Sequence, residues 1–74
     1  MPPLPVISGM EVRRAFERAG FVFRKQRGSH MILVKTGHTK ILSIPNHKEL
    51  DRGTLRKLIT DSGLTVEEFY NYLG

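Results

Sequence analysis

Three histidines are the side chains of this sequence that titrate closest to neutral pH, so they are the first candidates for chemistry. They are His30, His38 and His47. Their spacing lacks the close helical pattern typical of metal-binding histidines, and the chain has no cysteine. A nucleophile elbow of the kind that serves Ser-His-Asp hydrolases is also missing. The sequence therefore predicts neither a metal site nor a cofactor.

The surroundings of His30 distinguish it from the other two histidines. The residues just before it are Arg24, Lys25, Arg27, Gly28 and Ser29. A glycine lets a phosphate or ribose approach the backbone closely, and nearby cations would offset charge developing on phosphate oxygens. A histidine held there could move a proton to or from a ribose 2′-hydroxyl or a leaving oxygen. This pattern predicts metal-independent cleavage of RNA, and DNA would stay uncut because it lacks the 2′-hydroxyl.

The same residues allow structural interpretations. A lone histidine near the start of a strand is often a hydrogen-bonded surface residue. His47 is a candidate second acid/base or phosphate contact, and the alternative is a loop histidine that satisfies local backbone groups. Lys48 is a further candidate RNA contact, while His38 is assigned no role. Phe21 and Phe23 could stack on RNA bases, but their alternation favours a core position for at least one of them.

Charge is distributed unevenly along the 74 residues, whose formal net charge is +5. Residues 1–48 contain nine Lys or Arg against two Asp or Glu, whereas residues 49–74 contain three against five. The basic character of residues 1–48 predicts a surface that binds a polyanion. The alternative is a solvated basic surface that serves solubility. The absence of cysteine fits a reducing cytoplasm. No apolar run is long enough for a membrane span or a signal peptide.

Pattern analysis predicts a proline-rich lead-in over residues 1–7, extended and poorly ordered, followed by one domain over residues 8–74. Ser8 and Glu11 have the spacing of a capping box, and apolar residues recur at helical spacing up to Gly20. Strands are expected over residues 21–26, 31–34 and 40–44, with turns at 27–28 and 36–39. Two further helices are expected, capped by Asp51 and by Thr65.

This order, α-β-β-β-α-α, predicts an α+β fold in which helices cover one face of a three-stranded antiparallel sheet. It resembles the double-stranded-RNA-binding fold, which shares the α-β-β-β-α order. The sequence also carries an ordered series of short motifs over most of residues 8–73. They are Ala19-Gly20-Phe21, Gln26-Arg27-Gly28-Ser29-His30, Ile44-Pro45 with His47, Lys48-Glu49-Leu50, Gly53-Thr54-Leu55-Arg56, Gly63-Leu64-Thr65 and Glu68-Phe69.

On these motifs the chain resembles the HicA (YcfA-like) toxins of bacterial and archaeal toxin–antitoxin pairs. The resemblance implies a double-stranded-RNA-binding-like fold and cleavage of mRNA, with His30 as the catalytic histidine of a Gly-Ser-His motif. It also implies a HicB-type antitoxin that binds the toxin and masks the site. Where many relatives have a second histidine or an aromatic residue directly after the catalytic one, this chain has Met31-Ile32.

The main hypothesis from the sequence is thus an mRNA endoribonuclease with His30 as general acid/base. Lys25 and Arg27 would contact phosphate, and Ser29 would orient the site or bind ribose. Two alternatives stay open: a non-catalytic RNA-binding module, and an antitoxin-binding domain without nuclease activity.

Overall fold

A computed structural model of the protein describes Leu4 and residues 6–74. The elements run in the predicted order, and the three strands form one antiparallel sheet in the order β1-β2-β3. Their bounds are α1 Gly9–Arg18, β1 Val22–Arg27, β2 His30–Val34, β3 Leu42–Pro45, α2 Arg52–Ser62 and α3 Val66–Leu73. The predicted α+β class and strand arrangement are therefore confirmed.

The ends of the helices follow the capping signals in the sequence. At α1, Ser8 Oγ accepts from the amide of Glu11 at 3.2 Å, and the Ser8 amide donates to the Glu11 carboxylate at 3.0 Å. These hydrogen bonds, the one from the Ser8 backbone above all, hold the pKa of Glu11 below its usual value. Thr65 and Glu68 repeat the arrangement at α3. Each box satisfies amides that a helix start would otherwise leave unpaired.

The hydrophobic core lies between one face of the sheet and the three helices. Phe16 of α1 is at its centre, with its ring 5.8 Å from the ring of Phe21 and 5.2 Å from that of Phe69. From the sheet the core takes Met31, Leu33, Leu42 and Ile44. The helices thus cover one face and leave the opposite face of the sheet, the open face, to side chains of the strands; Ile32 on that face is only 7% exposed.

The described part of the lead-in differs from the prediction of a poorly ordered tail. Leu4 is only 6% exposed and belongs to the core, and the amide of Leu50 donates to the carbonyl of Ile7 at 2.8 Å. A small domain buries a modest share of its surface, so one more leucine in the core is a useful gain. The prolines at positions 2, 3 and 5 lie outside the described residues.

A β-bulge in β1 decides which side chains share a face with β2. Phe23 pairs with Leu33, but the next pair is Lys25 with Ile32, so Arg24 is an extra residue in β1. Without it, strict alternation would put Lys25 and Arg27 on the core face with Phe23. With it, Arg27 lies opposite His30, on the open face. The bulge therefore allows β1 to bury an aromatic ring and still present its cations beside His30.

The hairpin turn lies one residue later than predicted, because Arg27 still belongs to β1 and the turn consists of Gly28 and Ser29. Gly28 has φ +59°, and a Cβ built on it would meet nothing within 4 Å. The constraint at this position is therefore backbone conformation, since there is ample space for a side chain.

This observation predicts the effect of two substitutions at Gly28. Gly28→Ala should lower the free energy of unfolding by about 1 kcal/mol, because alanine is strained at positive φ. Gly28→Asn should cost less, because asparagine tolerates the left-handed region. Urea denaturation of the two variants and the wild type measures the difference. A larger loss for asparagine than for alanine would contradict a purely conformational requirement.

Candidate active site

His30 is the first residue of β2, and its imidazole lies at the surface. A hydrogen bond of 2.9 Å joins its Nδ1 atom to the Oγ atom of Ser43 in β3. Ser43 pairs with Ile32, the residue two positions beyond His30, so the hydrogen bond runs diagonally between adjacent strands. This contact orients the ring and leaves Nε2 without a protein partner among the described residues.

Two cations of β1 stand beside the imidazole. Arg27 is directly opposite His30, and Lys25 is opposite Ile32, the next residue of β2 on the same face. Both side chains are exposed, and neither forms an ion pair with the described residues. The three strands contain no Asp or Glu. The open face near His30 is therefore cationic and suited to an anionic ligand.

The turn before His30 is tied to the segment that follows β3. The amide of Asn46 donates to the carbonyl of Ser29 at 2.8 Å, and the Gln26 side chain donates to the carbonyl of Gly28 at 3.1 Å. Both contacts are accepted by backbone carbonyl oxygens of the turn. The hydrogen bonds from Asn46 and Gln26 hold the turn in place and thereby fix the position of His30, the first residue of β2.

The other predicted contacts are less closely grouped. Arg24 is the extra residue of the bulge, and Lys48 lies in the loop between β3 and α2; both are exposed. His47 is also exposed; its carbonyl accepts from the amide of Gly9 at 2.9 Å, and its imidazole forms no hydrogen bond with the described residues. The structure therefore brings Lys25 and Arg27 to His30, but shows no side-chain contact from Arg24, His47 or Lys48 to it.

The aromatic candidates belong to the core, as favoured from their alternation. Phe21 is 3% exposed, which leaves no face for an RNA base. Phe23 is half-buried on the helical side of the sheet, where the guanidinium of Arg13 lies 4.0 Å from its ring centroid. Base stacking on these two rings is thus excluded by their position.

Ser43 is the member of the site that sequence analysis missed. It lies 13 residues from His30 along the chain, and only the register of β2 with β3 brings the two together. Polar residues two positions apart on facing antiparallel strands are neighbours only once the register of the two strands is known. The turn between the strands is too irregular for that register to be read from residue types.

The chain was also compared with known protein families. Residues 9–64, more than half of the chain, match the family model described as the HicA toxin of bacterial toxin–antitoxin systems. The chain belongs to the HicA toxin family. No curated protein matches it in a sequence search. The part matched to HicA includes His30, Ser43, Lys25 and Arg27.

Membership in the HicA family makes the protein a toxin with an antitoxin as its partner. None of the helices in the described chain is long and apolar enough to cross a membrane. Over the same residues, no cluster of three or more His, Asp or Glu side chains could hold a metal ion. The expectation of a toxin–antitoxin protein is confirmed.

His38, which was given no role, has a structural one in this HicA chain. Its Nε2 donates to the carbonyl of Asp61 at 2.6 Å, since a carbonyl can only accept. Its ring also packs edge-on against Phe21, with 5.4 Å between ring centroids. These contacts fasten the loop before β3 to the end of α2.

The contrast between two histidines provides a stability test. His38→Ala should lower the free energy of unfolding by about 1–2 kcal/mol, because it removes a hydrogen bond and an aromatic contact. His47→Ala is the matched control, and it should change stability by less than about 0.5 kcal/mol because its side chain is exposed. Thermal unfolding of both variants checks this. Equal losses for the two would contradict the role given to His38.

Proposed function

We propose that the protein is a metal-independent endoribonuclease that cleaves mRNA, with His30 as general acid/base. The observation that carries this proposal is the hydrogen bond from His30 to Ser43 on a cationic sheet face of a HicA-family chain. It holds an imidazole in one orientation at the surface, beside two cations that could bind a phosphodiester.

The proposed reaction needs only groups of the RNA and of this chain. With a proton on Nδ1 donated to Ser43 Oγ, the Nε2 atom of His30 carries a lone pair that can accept the proton of a ribose 2′-hydroxyl. The 2′-oxygen then attacks the adjacent phosphorus, and the bond from phosphorus to the 5′-oxygen of the next nucleotide breaks. The products are a 2′,3′-cyclic phosphate and a 5′-hydroxyl, the latter protonated by an acid.

The cations would stabilise the charge that builds up on the phosphorane. Lys25 and Arg27 are the proposed phosphate contacts, because they share the open face with His30. Gly28 and Ser29 would admit the ribose and phosphate at the turn. Arg24 and Lys48 would contact neighbouring phosphates along the strand, and His47 is the candidate for the second proton transfer.

The cationic face around His30 also indicates what kind of protein would bind there. We propose a HicB-type antitoxin that covers the face around His30 and so blocks RNA. A cationic face whose strands carry no Asp or Glu favours a partner whose docking surface is acidic, which would also speed association. Cleavage of mRNA would place both proteins in the cytoplasm.

Replacing His30 tests the proposal. Induction of the wild type in cells without antitoxin should stop growth and fragment mRNA, whereas His30→Ala should do neither, because the proposed acceptor for the proton of the ribose 2′-hydroxyl is then missing. Northern analysis of several transcripts measures the outcome. Equal damage by both proteins would rule out catalysis by His30. Harmless wild type would favour the RNA-binding module or the antitoxin-binding domain.

Ser43 should act as a positioning residue for His30. Ser43→Ala should lower kcat for a short RNA by about threefold to tenfold, in line with the loss of one hydrogen bond, with little change in KM. Ser43→Thr retains a hydroxyl and should recover most of the rate. Rates for purified variants on a fluorescent oligonucleotide provide the comparison. If threonine and alanine were equally impaired, a role through the hydroxyl would be disproved.

A further inference from the structure

A groove opens beside the proposed site, between β3 and α2. It has a volume of about 280 Å³ and is lined by Ile41, Ser43, Thr54, Lys57, Leu58 and Asp61. Ser43 belongs to both places, because its Oγ atom is 2.9 Å from the imidazole of His30. A second cavity, at Glu11, Arg14 and Arg18, shares no residue with the His30 site. The groove therefore adjoins the position proposed for the reacting phosphate.

The groove combines an apolar wall with polar groups at its edge. Ile41 is 58% exposed and lines the groove together with Leu58. A nucleobase has a flat apolar face and hydrogen-bonding groups along its rim, so it matches a surface of this kind. The exposure of Ile41 would then have a function in binding RNA.

Asp61 is the hydrogen-bonding group most firmly held in the groove. Its carboxylate accepts from Lys57 at 3.1 Å and from Lys40 at 3.3 Å, and its backbone carbonyl accepts from His38. The hydrogen bond from Lys57, followed by the one from Lys40, lowers the pKa of Asp61. The side chain is therefore ionised at neutral pH and can only accept hydrogen bonds.

The two lysines add affinity for a phosphate near the groove. Their side chains are largely exposed although they pair with Asp61. Each ammonium group has three donors, so it can contact Asp61 and a phosphate oxygen together. An RNA strand that passes from Lys25 and Arg27 across His30 to the groove would meet cations on both sides.

An acceptor-only carboxylate distinguishes among bases. Adenine, cytosine and guanine each carry an amino group that donates hydrogen bonds, whereas uracil presents two carbonyl oxygens beside its single N–H. We propose that the groove binds the base of a nucleotide next to the scissile phosphate and that Asp61 makes it favour an amino-bearing base over uracil. This inference rests on the proposed ribonuclease function and adds a substrate preference to it.

Cleavage of defined substrates tests the preference. The substrates are short oligodeoxynucleotides with one ribonucleotide, identical except for the base of that ribonucleotide or of its 3′ neighbour. At one of the two positions, uracil should lower kcat/KM by about threefold to tenfold for the wild type. Asp61→Asn presents both a donor and an acceptor and should abolish most of this difference. An undiminished preference in Asp61→Asn would overturn the role of Asp61.

One isoleucine and one valine of similar exposure provide a matched pair of variants. Ile41→Ser should raise KM severalfold, and the effect should vanish on a substrate that lacks the base at the selective position. Val22 is 61% exposed, lies at the opposite edge of the sheet and does not line the groove. Val22→Ser should behave like the wild type. Equal KM values for the two variants would overturn base binding by the groove.

Binding measured without cleavage separates this inference from the proposed function. The probe is the same oligonucleotide with deoxyribose throughout, added to ¹⁵N-labelled wild-type protein. Shifts in the amides of Thr54, Lys57 and Leu58 support the groove. Cleavage of the ribonucleotide substrates with no such shifts would overturn the groove and leave the ribonuclease standing. Shifts without any cleavage would support nucleotide binding by the groove and reject the proposed catalysis.

Discussion

The alternation of β2 is the constraint on which the proposed site depends. Met31 and Leu33 are almost fully buried in the core, so His30 and Ile32 must face the opposite side of the sheet. A slip of one residue would turn the imidazole into the core and bring Met31 to the surface. Burial of Met31 and Leu33 thus determines to which face of the sheet the imidazole of His30 points.

The neighbouring strands complete the arrangement in different ways. In β3, normal pairing is sufficient to bring Ser43 within hydrogen-bond distance of His30. In β1, normal pairing would fail, because Phe23 must pack on the core while Lys25 must not. The extra residue Arg24 resolves that conflict by shifting the alternation once. The histidine, its positioning hydroxyl and its cations are therefore products of one sheet register.

Local signals in the sequence predicted the elements but not their register. The capping boxes at Ser8 and Thr65 involve residues three positions apart, so their chemistry can be recognised in the sequence. The glycine in the turn before His30 is also a local signal, because its residue type alone indicates a turn. Ser43 and the bulge depend on contacts between strands, and the packing of Leu4 depends on the finished core. Such contacts emerge only when distant segments meet, which is why the groove beside Ser43 was also absent from the sequence analysis.

The chemistry proposed for this site determines the ends of the RNA fragments, because the attacking oxygen is the 2′-oxygen of the RNA. The most direct measurement is mass spectrometry of the fragments released from a single-ribonucleotide substrate by the purified protein in the presence of EDTA. The account predicts fragments ending in a 2′,3′-cyclic phosphate, or the monophosphate formed from it, and fragments beginning with a 5′-hydroxyl. Fragments with 5′-phosphate and 3′-hydroxyl ends, or cleavage that stops when EDTA is added, would contradict it.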